Sequence, residues 1–209
     1  MAKKLMSPYK YPFYIMLHPF DGFEELNYRN AYSVKFSVFI LIAFLLSAVF
    51  DYQYTGFSFN MNDTATMNIF LMIFYTVFMF LIFCVGNWAL CTLLDGLGTF
   101  KKIWVAVSYA LVPYILCTFI CTFASIFLTQ DEGAFIGILS WVGILWSVFL
   151  LITGMMTIHE YTFGQAVGAI IMTVIAMAVI LFIMILAVTL FMQVYNIFKS
   201  IFSEILYRL

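Results

Sequence analysis

The chain has 209 residues, of which 66% are apolar and 9% charged. A soluble domain carries about 25% charged residues and 45–50% apolar ones, and a mean hydropathy of +1.09 leaves too little polar surface to cover a water-exposed globule. Nine basic residues against ten acidic ones give a net charge of −1, so there is no basic field to hold a nucleic acid. These numbers exclude a soluble enzyme, a secreted disulfide scaffold and a disordered tail, and they leave an all-α polytopic membrane protein.

Charges punctuate the chain. The charge-free runs are 36–50, 64–94, 103–130, 133–158 and 161–198. A spanning helix needs about 20 apolar residues at about 1.5 Å each. The runs predict five helices near 31–50, 67–94, 103–128, 134–157 and 165–196. The first borrows 31–35, with Lys35 reaching to the interface. The last run holds no proline or acidic residue to mark a turn, so it reads as one helix.

Before the first span lies a cytoplasmic or interfacial segment, 1–30, with no cleavable signal peptide. It contains Pro8, Pro12, Pro19 and many aromatics. Asp21 followed by Glu24 suits a helix start. Phe20 and Phe23 are partner-docking candidates there, although interfacial anchoring explains such aromatics as well. After the five-helix domain, 31–196, the tail 197–209 places Phe198, Ile201, Phe202 and Ile205 at steps of three and four. It reads as a second interfacial helix, a continuation of the last span, or a docking face built on Phe198 and Phe202.

Lysine and arginine near the spans set orientation. Five precede or open the first span (Lys3, Lys4, Lys10, Arg29, Lys35), two lie between the second and third (Lys101, Lys102), and two follow the last (Lys199, Arg208). That is seven against two. It predicts the N-terminus inside and the C-terminus outside.

Few polar groups sit at membrane depth. Asn87 in the second span is a functional-site hypothesis by default, and its bland alternative is an interhelical hydrogen bond. Pro113 predicts a kink in the third span. Gly133-x-x-x-Gly137 and Gly164-x-x-x-Gly168 read as helix-packing sites. Cys84, Cys91, Cys117 and Cys121 read as apolar filler. No cofactor or metal motif is present. His159-Glu160 reads as a loop dipeptide, because no second histidine stands four residues on. Asn62-Asp63-Thr64 has the form of a glycosylation sequon, but it falls close to the second span and reads as chance. An offset of 63 aligns Thr99-Phe100 with Thr162-Phe163, and hints at two related hairpins.

The stretch from Gly86-Asn87-Trp88 through Asp95-Gly96-Leu97-Gly98-Thr99-Phe100-Lys101, then Tyr109-Ala110-Leu111-Val112-Pro113, resembles the Yip1 domain family in its bacterial branch. His18-Pro19-Phe20-Asp21-Gly22-Phe23 resembles the family's Pro-x-x-x-Phe lead-in. The similarity runs over most of 18–175. It implies a five-helix membrane domain with a cytosolic N-terminus, and motif positions at Asn87, Asp95, Gly96, Gly98, Thr99, Phe100, Tyr109 and Pro113. Eukaryotic members bind Rab-type GTPases and carry an Asp-Leu-Tyr-Gly-Pro motif. This chain lacks it, which puts GTPase binding in doubt and favours a bacterial cytoplasmic membrane over Golgi or ER.

The resemblance and the lack of catalytic chemistry point to a non-catalytic accessory or scaffold subunit, with membrane-protein partners such as ABC-type transporter subunits. The alternative is a small-solute transporter or channel. It requires Asn87, Thr92, Tyr109 and Thr173 to converge on a wet cavity. An intramembrane enzyme would need Asp95, His159 and Glu160 to meet in a working geometry.

Overall fold

The computed structural model describes residues 9–29, 32–60, 62 and 67–208. Lys3, Lys4, Ala31, Leu209 and the sequon positions Asp63 and Thr64 lie outside that set. Among the described residues the regular structure is helical, with no strand. Helices follow as α1 (Tyr11–Leu17), α2 (Pro19–Arg29), α3 (Val34–Tyr54), α4 (Ile69–Leu93), α5 (Phe100–Ala110), α6 (Val112–Ser125), α7 (Gly133–His159) and α8 (Phe163–Arg208), with one 3-10 turn at Gln130–Glu132.

Five stretches are long and apolar enough to cross a membrane: Val34–Tyr54, Ile69–Leu93, Phe100–Ser125, Gln130–His159 and Phe163–Glu204. They match the five predicted spans, with ends moved by up to four residues except at the last, which runs eight residues beyond its predicted end. The caps explain several ends. Ser33 accepts the Phe36 N–H and opens α3, and Asn68 accepts the Leu71 N–H and opens α4.

The third span is broken where Pro113 predicts it. Proline lacks the N–H that continues the ladder. The helix divides at Leu111, and the next N–H, that of Tyr114, donates to Ser147 Oγ of α7 at 3.1 Å.

α6 and α7 share the most extensive interface, and their contacts show them antiparallel: Tyr114 meets Ser147 and Cys121 meets Ser140. Between them Gly143 lets α6 approach, since a Cβ there would stand 2.6 Å from Cys117 Cβ. α3 runs parallel to α6, with Phe44 against Tyr114, Phe50 against Phe119, and Thr122 donating to Asp51 Oδ1 at 2.9 Å. α4 packs antiparallel on α5 through Phe80 on Trp104 and Trp88 on Phe100. Lys35, Lys101 and Lys102 mark one end of this bundle, here the lysine end.

α1 and α2 are not a loose surface segment. Tyr11, Ile15, Phe23 and Leu26 are fully buried in the same core as α5 and α7. Phe23 lies on Gly154 of α7, where an added Cβ would stand 3.0 Å from its ring. Phe23 therefore fastens the N-terminal helices and is not available to dock a partner. Phe20 stays half-exposed, edge-on to Phe149.

α8 is one helix of 46 residues, about 69 Å at 1.5 Å per residue. It exceeds a hydrocarbon core of about 30 Å. The tail 197–208 continues this helix and does not form a separate element. From Phe182 to Glu204 every side chain is exposed, Phe198 and Phe202 among them.

Candidate functional site

The turn after α4 and the turn after α7 lie side by side at the lysine end. Each helix closes alike. Asp95 (φ 58°) and Glu160 (φ 59°) adopt the left-handed conformation, and the residue after each returns a hydrogen bond five residues back: Gly96 N to Cys91 O at 2.7 Å, Tyr161 N to Met156 O at 2.9 Å. This is the Schellman closure, with a short acidic residue or a glutamate in the place glycine usually takes. Thr99 then precedes Phe100 at the start of α5, and Thr162 precedes Phe163 at the start of α8. The repeat read from Thr-Phe is thus matched in backbone geometry. The closing residues, however, are 65 apart where the threonines are 63 apart, because the first turn is longer.

The longer turn folds over His159. A Cβ on Gly96 would stand 2.6 Å from His159 Nδ1 and from Tyr161 Oη, and one on Gly98 would stand 2.5 Å from His159 Cε1. Both glycines have ordinary negative φ, so close approach and not backbone freedom is what requires them. Gly98 N–H donates to His159 Nδ1 at 3.3 Å. His159 Nε2 faces Asn87 Oδ1 at 3.3 Å. Asn87 Nδ2 donates to Thr173 Oγ1 at 3.1 Å, and Thr173 Oγ1 donates to Ala169 O at 2.7 Å.

This chain has one consistent direction. Because Nδ1 accepts, the imidazole is neutral and Nε2 carries its proton toward Asn87, an assignment made from the hydrogen-bond network. Asn87 and Thr173 are fully buried and His159 nearly so. The chain joins the first turn, α7, α4 and α8. Among the described residues, no buried side-chain polar atom lacks a partner.

Tyr161 stacks on His159 (ring centroids 5.2 Å apart, planes 18° apart). Its hydroxyl donates to Leu94 O at 3.1 Å. Burial first, and Cys91 second, push the Tyr161 hydroxyl up to about 12. Beside this cluster the N-terminal helices are tied down. Asn27 Nδ2 donates to Thr157 O at 2.8 Å, Lys102 Nζ donates to Asn27 Oδ1 at 2.7 Å, and Tyr28 donates to Glu160 Oε1 at 3.0 Å. The Glu160 carboxylate raises the pKa of Tyr28, mainly through that hydrogen bond.

Of the residues singled out in the sequence, Asn87, Gly96, Gly98, Thr99 and Phe100 meet here or frame the turn. Asp95 is exposed and contributes its backbone. The other two sit elsewhere: Tyr109 is buried against the start of α3, its hydroxyl accepting the Ser33 N–H at 3.3 Å, and Pro113 makes the break in the third span. Thr92 is exposed and donates to Trp88 O on its own helix. Of the four residues whose convergence the transporter reading requires, Asn87, Thr92, Tyr109 and Thr173, only Asn87 and Thr173 meet, and they close against each other.

The packing glycines also fall differently. A Cβ at Gly133 would meet Phe59 at 2.9 Å, while Gly137, Gly164 and Gly168 face open space. Close approaches come also at Gly22, Gly56, Gly96, Gly98, Gly143 and Gly154. The sequence places His159 in a loop, yet it is the last residue of α7 and the centre of the polar chain. Its only sequence signal is its rarity, as one of two histidines.

The chemistry available is that of a lock. Asp95, His159 and Glu160 do not form a nucleophile–base pair: His159 is committed on both nitrogens, and Glu160 bonds Tyr28. Among the described residues no group of three metal-ligating side chains could hold an ion. An apolar cavity of about 390 Å3 opens between α4, α5 and α7, walled by Phe44, Tyr75, Phe80, Val107 and Leu151. Of its hydroxyls, that of Thr76 donates to Met72 O and that of Ser147 accepts the Tyr114 N–H.

The sequence matches the Yip1 domain over residues 13–187. The chain belongs to the Yip1 family. With five spanning helices, this Yip1 protein is a multi-pass integral membrane protein. No curated protein and no solved structure matches it. The Yip1 family is not known as enzymatic.

Proposed function

We propose that this Yip1 protein is a non-catalytic accessory or scaffold subunit of a larger membrane assembly, with transporter subunits as the leading class of partner. The observation that carries this reading is the closed polar chain. The buried polar side chains at the lysine end spend their hydrogen bonds on one another and rigidify the bundle, as a fully satisfied network does. A solute pathway needs such groups turned toward a wet cavity, as the alternative transporter reading requires. The exposed apolar length of α8 beyond Phe182 is a second support, because it leaves helix surface free for a membrane neighbour.

The charge count favours the lysine end on the cytoplasmic side and the C-terminus outside. Absence of the Asp-Leu-Tyr-Gly-Pro motif favours a bacterial cytoplasmic membrane. The test is a tagged purification from native membranes in mild detergent, with mass spectrometry of stoichiometric companions. Reproducible transporter subunits support the reading. A protein that runs alone removes it, and solute flux in proteoliposomes with Asn87→Leu as control becomes the next experiment.

A further inference from the structure

α1 and α2 form a pair whose depth in the bundle can be measured from its contacts. Met16 O accepts the Trp146 Nε1–H at 3.1 Å. Met16 and Leu17 share the wall of one cavity with Pro113, Cys117, Val142 and Gly143. Trp146 lies 13 residues from His159, the lysine end of α7, which is about 20 Å along the axis. The hydrocarbon core is about 30 Å thick. From there α2 descends beside α7: Phe20 meets Phe149, Phe23 meets Gly154, Asn27 meets Thr157 and Tyr28 meets Glu160. α1 climbs the other side, with Tyr9 at its foot against Phe36 near the start of α3.

We propose that α1 and α2 are a re-entrant hairpin that enters the leaflet at the lysine end and turns back near mid-bilayer, its outer face against lipid. Two further observations agree. The turn leaves little backbone unsatisfied, as irregular backbone at that depth requires. His18 N–H donates to Tyr14 O, His18 O accepts the Gly22 N–H, and Met16 O is taken by Trp146. Pro19 has no N–H to satisfy. The two helices also touch closely, because Gly22 has no Cβ; one would stand 2.6 Å from Ile15 Cγ1.

The exposed side chains are graded as a leaflet is graded. Phe13, Leu17 and Phe20 are exposed toward the tip, and Tyr9, Lys10, Tyr28 and Arg29 sit at the foot. Aromatic rings with a polar edge and snorkelling cations belong at headgroup level. His18, Asp21 and Glu24 are the exception, being exposed and polar above the foot. Such groups draw water and headgroups inward and thin the leaflet locally. The hairpin is therefore a one-leaflet wedge with a wetted flank on α2.

The test is depth by spin labelling of the full chain in liposomes that contain no other protein. Labels at Leu17→Cys, Tyr28→Cys, Lys101→Cys and Val142→Cys report accessibility to oxygen, which concentrates in hydrocarbon, and to a water-soluble nickel chelate. Phe13→Cys is the substitute should Leu17→Cys fail to fold. The expected result is a Leu17 label whose oxygen-to-nickel ratio matches that at Val142 and exceeds that at Lys101 severalfold, with Tyr28 near Lys101. A Leu17 or Phe13 label as open to nickel as Lys101 overturns the proposal and makes the pair a surface element.

Discussion

Replacing Asn87 by leucine tests whether the polar chain holds the bundle. The two side chains are nearly isosteric, so little packing changes. Thr173 keeps a partner, because its hydroxyl donates to Ala169 O. His159 does not, since its Nε2–H faces only Asn87 Oδ1. Leaving a buried donor unpaired costs about 1–3 kcal/mol. The lost Asn87–Thr173 bond adds little, because hydrogen bonds between spanning helices average about 0.6 kcal/mol. The assay is reversible unfolding of the purified protein in mixed micelles of rising sodium dodecyl sulfate, comparing wild type, Asn87→Leu, His159→Leu and the double variant. His159→Leu also strips the Gly98 N–H of its acceptor, in the single and the double variant alike; but once His159 is gone Asn87→Leu has no Nε2–H left to orphan, so the two substitutions should be non-additive by about 0.5–3 kcal/mol, the range seen for residues that share a network. Additive effects, or a single-variant cost below about 0.5 kcal/mol, the scale of an ordinary surface substitution, would refute the lock.

Gly98→Ala forces a methyl against a stacked imidazole that cannot swing away, and the same titration should show a loss of about 1–3 kcal/mol. Gly137→Ala and Gly164→Ala meet nothing within 4 Å and should stay within about 0.5 kcal/mol of wild type. Gly154→Leu displaces Phe23, so it should free the N-terminal helices and raise the rate of tryptic cleavage after Arg29; an unchanged cleavage pattern would show that Phe23 does not fasten them. The Tyr161 hydroxyl has a raised folded-state pKa, so its contribution to stability is intact below the ordinary tyrosine value near 10 and is lost as pH rises from there through about 12. The wild-type minus Tyr161→Phe tyrosinate absorbance should accordingly titrate well above pH 10, and a midpoint near 10 would contradict the packing of this half-buried ring on His159 and the α4 turn.

The five spans and the break at Pro113 are legible because transfer free energy depends only on composition and length, and proline acts locally. Which side of each span faces the interior is not legible. Lipid tails are as apolar as leucine, so an intramembrane helix has no polar face to give its inner stripe away. That is why the spacing of Gly137, Gly164 and Gly168 suggests packing they do not make, while Gly143 and Gly154 acquire their role only from the Cys117 and Phe23 that stand opposite. Asn87 stands out in the sequence as an isolated polar residue, but its partners come from α7 and α8, 72 and 86 positions away. The N-terminal pair carries prolines, acids and aromatics that suit a surface segment equally well, and only its contacts with Trp146 and Gly154 fix its depth.

The two turns at the lysine end show how an approximate repeat becomes a site. Both end a helix on a left-handed acidic residue and restart one after a threonine. If they were equal in length, His159 would reach the end of α7 with nothing over its Nδ1. The extra residues of the first turn bring Gly98 N–H onto that atom and leave room for no side chain there. The polar chain thus depends on the difference between the halves, not on their likeness. Deleting Leu97 and Gly98 would make the turns closer in length while removing the donor. The bundle should then keep its five helices by circular dichroism but lose the non-additivity between Asn87→Leu and His159→Leu, since an imidazole without its Gly98 bond is free to turn Nε2 away from Asn87.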